Sequence, residues 1–190
     1  MIDLDMAGNA ISFDEVYTEE MTDRMKELTG LDNPNSLAQL KTWLKTNFGL
    51  EFPALGKPEI LEYFKNTPDA PDLVKEVLEG RLALSKTSTK KYIAMLNCAA
   101  KDQRAHGLFQ FYGANRTGRW SSRMIQLQNL PQNHMKDLDL ARSTVKKGDY
   151  DLIEMCYGNI PNVLSELIRT AFIAPEGKMF AVADFSAIEA

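Results

Sequence analysis

The sequence predicts a mainly α-helical protein with a few short β-strands, an α+β fold in which helices dominate. Apolar residues recur at helical spacing through most of residues 12–100, and the helical period returns between about Leu138 and Ala171. Two short stretches, 108–113 and 178–184, have instead the alternating or continuous apolar pattern of strands. No internal repeat or low-complexity segment interrupts this order of elements.

The first two helices have clear predicted starts and ends. Residues 12–15, Ser-Phe-Asp-Glu, have the spacing of a capping box, so we expect the first helix to begin there and to end at Gly30. Ser36 can cap a second helix, for which Gly49 is the stop.

Three further helices are predicted before residue 104. Pro58 and Pro71 stand where the first turn of a helix accepts proline, and apolar residues at helical spacing follow each of them. A fifth helix is predicted over residues 88–100. Its inward side chains are expected to be Tyr92, Ile93 and Leu96.

The second half opens with a predicted strand. Residues 108–113, LFQFYG, alternate between apolar and polar and lead into a turn at 113–115. Pro161 is expected to open the last helix, and a turn is predicted at 175–177. The nearly continuous apolar stretch 178–184 is then predicted to be a buried strand that ends in an acidic residue.

Composition excludes several classes of protein. With 44% hydrophobic and 25% charged residues among 190, the chain has the balance of an ordinary globular domain, not of a disordered or coiled-coil protein. Two cysteines cannot build a disulfide framework, and no C-x-x-C pair suggests zinc. We expect reduced thiols and a cytoplasmic location, without a secretory signal or membrane span.

The formal net charge of −4 conceals a strong asymmetry along the chain. Residues 1–80 hold 7 Lys/Arg against 16 Asp/Glu, a net charge of −9. Residues 81–130 hold 9 against 1, a net charge of +8, and residues 131–190 hold 6 against 9. The basic block is either a set of ordinary solvated faces or a surface that attracts a polyanion, because clustered Lys and Arg release counterions from phosphates.

Two segments contain residues suited to chemistry. Asp184, at the end of the predicted strand, is placed either to hold a divalent metal or to cap a helix. Residues 117–129 are rich in side chains that hydrogen-bond to bases and phosphates. These are Thr117, Arg119, Gln126, Gln128 and Asn129. Alternation predicts that the amides of Gln126 and Gln128 share one face while Leu127 packs inward.

In this order, the motifs resemble the palm signature of family A DNA polymerases. The stretches are TGRWSS at 117–122, LQN at 127–129, IRTAFIAPEG at 168–177 and DFSAIE at 184–189. The resemblance covers about the second half of the chain and is weaker in the preceding helices. The long interval between the second and third stretches resembles a phage or prophage subgroup. The family usually has Tyr-Ser-Gln after the aspartate, whereas this chain has Phe-Ser-Ala, so no role is carried onto Ala187.

The resemblance implies a fold, a reaction and a cofactor. The chain would be a partial right-hand polymerase, with a helical thumb-like region at 1–104 and the N-terminal part of the palm at 105–190. The full-length parent would transfer nucleotides from dNTPs to a primer 3′-hydroxyl, using two Mg²⁺ ions. Asp184 would be the catalytic metal ligand, the carbonyl of Phe185 a further ligand, and Glu189 the residue that excludes a ribose 2′-hydroxyl.

The resemblance also implies contacts to primer–template DNA. Arg119 would reach the minor-groove acceptors that all correct base pairs share. Gln128 and Asn129 would support it, together with Thr117 and with Gln126, where the family usually has Asn. The segment that begins at Arg81 is similar to the thumb tip, in which Lys86 would contact the DNA backbone.

Several alternatives stay open at this point. Arg119 could form a buried ion pair with Asp184 or Glu189, and Trp120 is expected in the core beside Leu127 rather than against a base. Lys86 and its neighbours are solvated helix residues or phosphate contacts. The whole chain could be a non-catalytic nucleic-acid-binding module derived from a polymerase. Because the fingers and the His-Asp-Glu motif of the family are not in the sequence, we expect the 190-residue chain alone to be inactive.

Overall fold

The computed structural model describes residues 1–87 and 89–182, which form eight α-helices and a two-stranded antiparallel hairpin. The predicted class, mainly α with few strands, is confirmed. The helices are α1 (Leu4–Thr29), α2 (Leu37–Phe48), α3 (Lys57–Asn66), α4 (Asp72–Leu84), α5 (Lys90–Cys98), α6 (Leu138–Lys147), α7 (Tyr150–Tyr157) and α8 (Ile160–Leu167). The strands are β1 (Phe109–Ala114) and β2 (Arg119–Ser122), and short 3-10 turns cover Leu127–Asn129 and Ile168–Ala171.

Helix α1 begins eight residues before the predicted capping box. Asp3 is its N-cap and accepts a hydrogen bond from the backbone N–H of Met6 at 3.4 Å. Ser12 therefore lies inside the helix, and the acidic pair that follows it lies on a helix face rather than at a start. The predicted end is confirmed, since Gly30 adopts φ 68°, the left-handed conformation that closes a helix.

The next three helices follow the predicted caps closely. The side chain of Ser36 accepts a hydrogen bond from the backbone N–H of Gln39, and Gly49 closes α2 with φ 67°. Pro58 lies in the first turn of α3 as expected. Pro71 is the residue just before α4 rather than a member of its first turn.

Two hydrophobic cores flank the long helix α1. Its N-terminal half packs with α5, α6, α7 and α8, around side chains such as Phe13, Tyr92 and Leu164. Its C-terminal end packs with α2, α3 and α4 around Met25. Met21 contacts both cores. Helix α1 therefore links the two packed groups of helices.

The buried face of α5 differs from the predicted one. Tyr92 is fully buried, and its hydroxyl donates to the carbonyl of Leu164 at 2.7 Å. Ile93 and Leu96, however, are 47% and 37% exposed, and Met95 is buried in their place. The helix spans only Lys90–Cys98, and its buried side chains are Tyr92 and Met95, which lie three residues apart on one face.

A buried carboxylate links the start of the chain to α6. Asp3 is 3% exposed and accepts from Arg142 Nη2 at 2.6 Å and from Lys146 Nζ at 2.8 Å. Backbone hydrogen bonds also join this segment to the end of the 3-10 turn, from Asp3 N to the carbonyl of Ala171 at 2.8 Å. The segment between the second and third sequence motifs is thus held against α1.

The prediction of a buried strand at 178–184 is wrong for the part that the structure describes. Residues 178–182 form no strand, and Met179 and Val182 are 89% and 92% exposed. An apolar stretch becomes a buried strand only beside a paired strand, and no described strand lies next to it. The turn predicted at 175–177 is present, closed by a hydrogen bond from Lys178 N to the carbonyl of Pro175.

A search of the described helices for a possible membrane span finds none that is both long and apolar enough.

Candidate nucleic-acid interface

The hairpin of β1 and β2 presents two chemically different faces. Arg119 opens β2 opposite Ala114, after a turn at 115–118 that lies two residues later than predicted. Alternation along β2 puts Arg119 and Ser121 on one face and Trp120 on the other. Arg123, just beyond the strand, shares the first face, because its guanidinium donates to Gln110 Oε1 at 2.7 and 3.0 Å.

Two glycines shape this hairpin. Gly118 adopts φ 68° in the turn, and a Cβ there would lie 2.9 Å from the ring of Tyr112. A Cβ on Gly113 would lie 2.5 Å from the Cβ of Ser121 on the opposite strand. β1 also carries a bulge in which Tyr112 has φ 52°. The strands therefore approach closely at a point that only glycine fits.

The expectation that Trp120 belongs to the core is wrong. The indole is 54% exposed and meets the ring of Phe111 edge-on, with ring centroids 5.2 Å apart. Phe111 itself is 72% exposed. Because side chains alternate along β2, Trp120 lies on the face opposite Arg119, where it contacts Phe111. Leu127, by contrast, packs against the first core as predicted.

The predicted shared face of Gln126 and Gln128 is also wrong. Gln126 has φ 55°, and a 3-10 turn follows, in which Asn129 N donates to the carbonyl of Gln126 at 2.9 Å. Because side chains three residues apart eclipse in a 3-10 turn, Gln126 pairs with Asn129 instead, at 3.4 Å between Oε1 and Nδ2. The prediction assumed the two-residue alternation of a strand, and that pattern contains no indication of a 3-10 turn.

Gln128 binds back to the hairpin. Its Nε2 donates to the carbonyl of Trp120 at 2.9 Å, and its Oε1 accepts from the backbone N–H and the hydroxyl of Ser122, each at 3.2 Å. These bonds fix the 3-10 turn against β2. Gln128 thus positions the loop that carries Gln126 and Asn129.

Gln126 and Asn129 line a groove of about 680 Å³ together with the N-terminal end of α5, and we name it the interface groove. Its lining residues include Thr87, Lys90, Lys91, Met124 and Ser165. Lys91 donates to the carbonyl of Ile125 at 3.0 Å, and partial burial lowers the pKa of its ammonium group. The groove therefore brings the basic block and the amide-rich loop together on one surface.

Lys86 lies in the adjoining groove and not beside the hairpin. Burial lowers the pKa of its ammonium group, and the nearby cation Lys57 lowers it further, against the opposing effect of Glu166. Glu166 is itself engaged, since it accepts hydrogen bonds from the backbone N–H groups of His134 and Met135.

The remaining predicted site residues divide into two groups. Thr117 and Arg119 are exposed in the hairpin, and Arg119 takes part in further contacts. Asp184, Phe185 and Glu189 lie outside the described residues, as do the two ion-pair partners considered for Arg119. Within residues 1–87 and 89–182, no three His, Cys, Asp or Glu side chains group as metal ligands.

Negative charge collects on a different surface. Asp14, Glu15, Glu19 and Asp23 of α1 border a shallow groove, and burial raises the pKa of the Asp14 carboxyl. Lys26 is the cation in that lining. The charge asymmetry of the sequence thus corresponds to two grooves that share no lining residue, with the amide-rich loop in the basic one.

Comparison with known proteins identifies the class to which this hairpin and groove belong. The family model described as DNA polymerase family A matches residues 12–190, so the chain belongs to that family. A DNA polymerase of Bacillus phage SP02 is 52% identical over 189 residues, a match that covers all of this chain and 29% of the relative. The resemblance to phage-type members is thereby confirmed. No solved structure matches the chain.

Proposed function

We propose that this chain is the part of a phage-type DNA polymerase that holds primer–template DNA. The chain spans less than a third of the length of its phage relative, and the activity proposed for the whole protein is template-directed transfer from dNTPs to a primer 3′-hydroxyl. Residues 1–104 are assigned to the thumb and 105–190 to the N-terminal part of the palm. Family membership and the charge of the interface groove support these assignments.

The observation that carries the proposal is the meeting of three elements at one surface. Lys90 of α5 lines the interface groove together with Gln126 and Asn129 of the amide-rich loop. The hydrogen bonds of Gln128 fix this loop to β2, the strand that begins with Arg119. Cations favour a phosphate backbone of any sequence, whereas the amides and the guanidinium can donate to the minor-groove acceptors shared by all base pairs. Such a surface suits duplex binding without sequence preference.

The metal chemistry is proposed from the sequence motif alone. Two Mg²⁺ ions would neutralise the triphosphate and activate the primer hydroxyl. Asp184, the carbonyl of Phe185 and Glu189 are the residues assigned to the metals and the incoming nucleotide. The contribution that the described residues support is the positioning of the primer terminus.

A titration of fluorescein-labelled primer–template DNA, followed by anisotropy, tests the proposal. We expect weak binding that is independent of sequence and that falls steeply with salt concentration. Arg119→Ala should weaken binding by about 10- to 150-fold, since a hydrogen bond from a charged donor contributes roughly 1.5–3 kcal/mol. Arg24→Ala, on the acidic side of the chain beside Glu76, is the control and should bind like wild type. Absence of binding at low salt, or equal affinities of the two variants, would contradict the proposal.

A further inference from the structure

A second groove adjoins the interface groove, and Lys86 is the residue in its lining for which a DNA contact has been considered so far. It measures about 820 Å³, and Thr87 and Ser165 line both grooves. Lys57 and Lys86 line it together with residues at the start of α8 and along it. We name it the α8 groove. Its position continues the basic surface away from the hairpin.

The two lysines of the α8 groove are close enough to repel each other. Lys57 is one of the causes that lower the pKa of Lys86, after burial. Among the described residues, neither lysine takes part in a salt bridge, although the carboxylate of Glu79 borders the groove and that of Glu166 attracts Lys86. Two neighbouring cations without an ion-pair partner make a favourable place for an anion.

The position of Lys57 is unfavourable for the helix that carries it. It is the first residue of α3, where the helix dipole is positive and acidic side chains are preferred. Local helix stability therefore does not explain a cation at this end. A contact with an anionic partner in the groove would account for it.

Polar side chains of α8 and its N-cap also line the groove. Asn159 caps the helix by accepting from the backbone N–H of Asn162 at 3.1 Å. The side chains of Asn162 and Ser165, three residues apart, lie on the same side of the helix and border the groove. Helix α8 lies between the LQN and IRTAFIAPEG motifs, so the motifs assign it no contact.

We propose that the α8 groove binds backbone phosphates of the same DNA that meets the interface groove. Lys57 and Lys86 supply the positive charge, and Asn162 and Ser165 supply hydrogen-bond donors. This inference rests on the proposed function and extends it, because it adds Lys57 and α8 to the DNA-binding surface. The bound strand would then pass between the start of α3 and α8.

The test uses two charge changes in the groove, each with a matched control elsewhere. Lys57→Ala is compared with Lys65→Ala at the other end of α3, where the lysine is also exposed. Asn162→Asp is compared with Asn35→Asp, which places the same added charge in the exposed loop before α2. Binding of labelled primer–template DNA to the 190-residue chain is measured from 50 to 500 mM salt.

We expect only the groove variants to weaken binding. Loss of one phosphate contact lowers the salt slope by about 0.9, which corresponds to about 15-fold weaker binding at 50 mM salt and about fourfold at 200 mM, relative to 1 M. Lys57→Arg should retain binding. The thermal midpoint of Lys57→Ala should be unchanged or slightly higher, because a cation is removed from a helix N-terminus.

The outcomes separate this inference from the proposed function. If Lys57→Ala and Asn162→Asp bind like their controls while Arg119→Ala is impaired, the α8 groove does not hold DNA and the inference is overturned alone. If wild type does not bind DNA at low salt, both proposals fail. Equal losses in groove and control variants would show a non-specific charge effect and would also overturn the inference.

Discussion

The substitution Gly113→Ala should open the hairpin that carries Arg119 without unfolding the helical cores. The added Cβ would lie 2.5 Å from the Cβ of Ser121, about 1 Å inside ordinary contact, and neither atom can rotate away because both are fixed to backbone. Overpacking of this kind costs about 1–3 kcal/mol. Since a two-stranded hairpin is only marginally stable, that cost is enough to separate the strands.

Hydrogen exchange of residues 108–123, measured by mass spectrometry, reports this opening directly. We expect faster exchange in Gly113→Ala across the hairpin, unchanged exchange in α1, and weaker binding of primer–template DNA. The double variant Gly113→Ala/Ser121→Gly removes the opposing Cβ and should recover part of the protection, with Ser121→Gly as its control. Wild-type exchange in Gly113→Ala, or no recovery in the double variant, would refute the close approach of the strands.

Three stability predictions follow from polar groups that are buried or half-buried. Asp3→Asn should lower the free energy of unfolding by about 2–4 kcal/mol in urea titrations, because it removes the charge that two cations share, whereas the exposed Asp5→Asn should change it little. Tyr92→Phe should cost about 1 kcal/mol through the lost hydrogen bond to Leu164, and a loss below the error of the titration would refute that bond. Asp14→Asn should raise the thermal midpoint at pH 7, since burial raises the pKa of the carboxyl in the folded state and so disfavours its charged form. The gain should shrink as the pH falls into the range where Asp14 binds a proton, and a gain independent of pH would contradict it.

Helix ends with a strong local signal could be predicted from the sequence. Ser36 and Gly49 bound α2 as expected, and Gly30 ends α1, because side-chain caps and left-handed glycines act within one turn. The start of α1 could not be located in the same way. The capping box predicted a start at Ser12, whereas the actual cap, Asp3, is bound by cations 139 and 143 residues away.

The composition of the candidate site was predictable, but its arrangement was not. The motif identified Arg119, Gln126, Gln128 and Asn129. Because Gln126 has a positive φ, its side chain meets that of Asn129 and not that of Gln128. The outward position of Trp120 follows from the hairpin register, and two-residue alternation with Arg119 could have indicated it. Nothing in the sequence indicated that Lys57 and α8 share a groove, because only the tertiary fold brings them together.

The proposed division into thumb and palm at residue 104 stays a prediction, as do the roles of Asp184, Phe185 and Glu189. The two cores show why a boundary is hard to find in the sequence. Helix α1 contributes to both, and its N-terminal half packs against α6 and α8 from the other end of the chain.

Hydrogen exchange in the presence and absence of saturating primer–template DNA tests the location of the proposed interface most directly. The account predicts slower exchange at 89–95 and 123–131, which contain residues that line the interface groove, and at 119–122, which form β2. It also predicts unchanged exchange at 14–26, the acidic stretch of α1. Protection confined to other segments, or equal protection along the whole chain, would contradict a DNA-binding surface built from the hairpin, the 3-10 turn and α5.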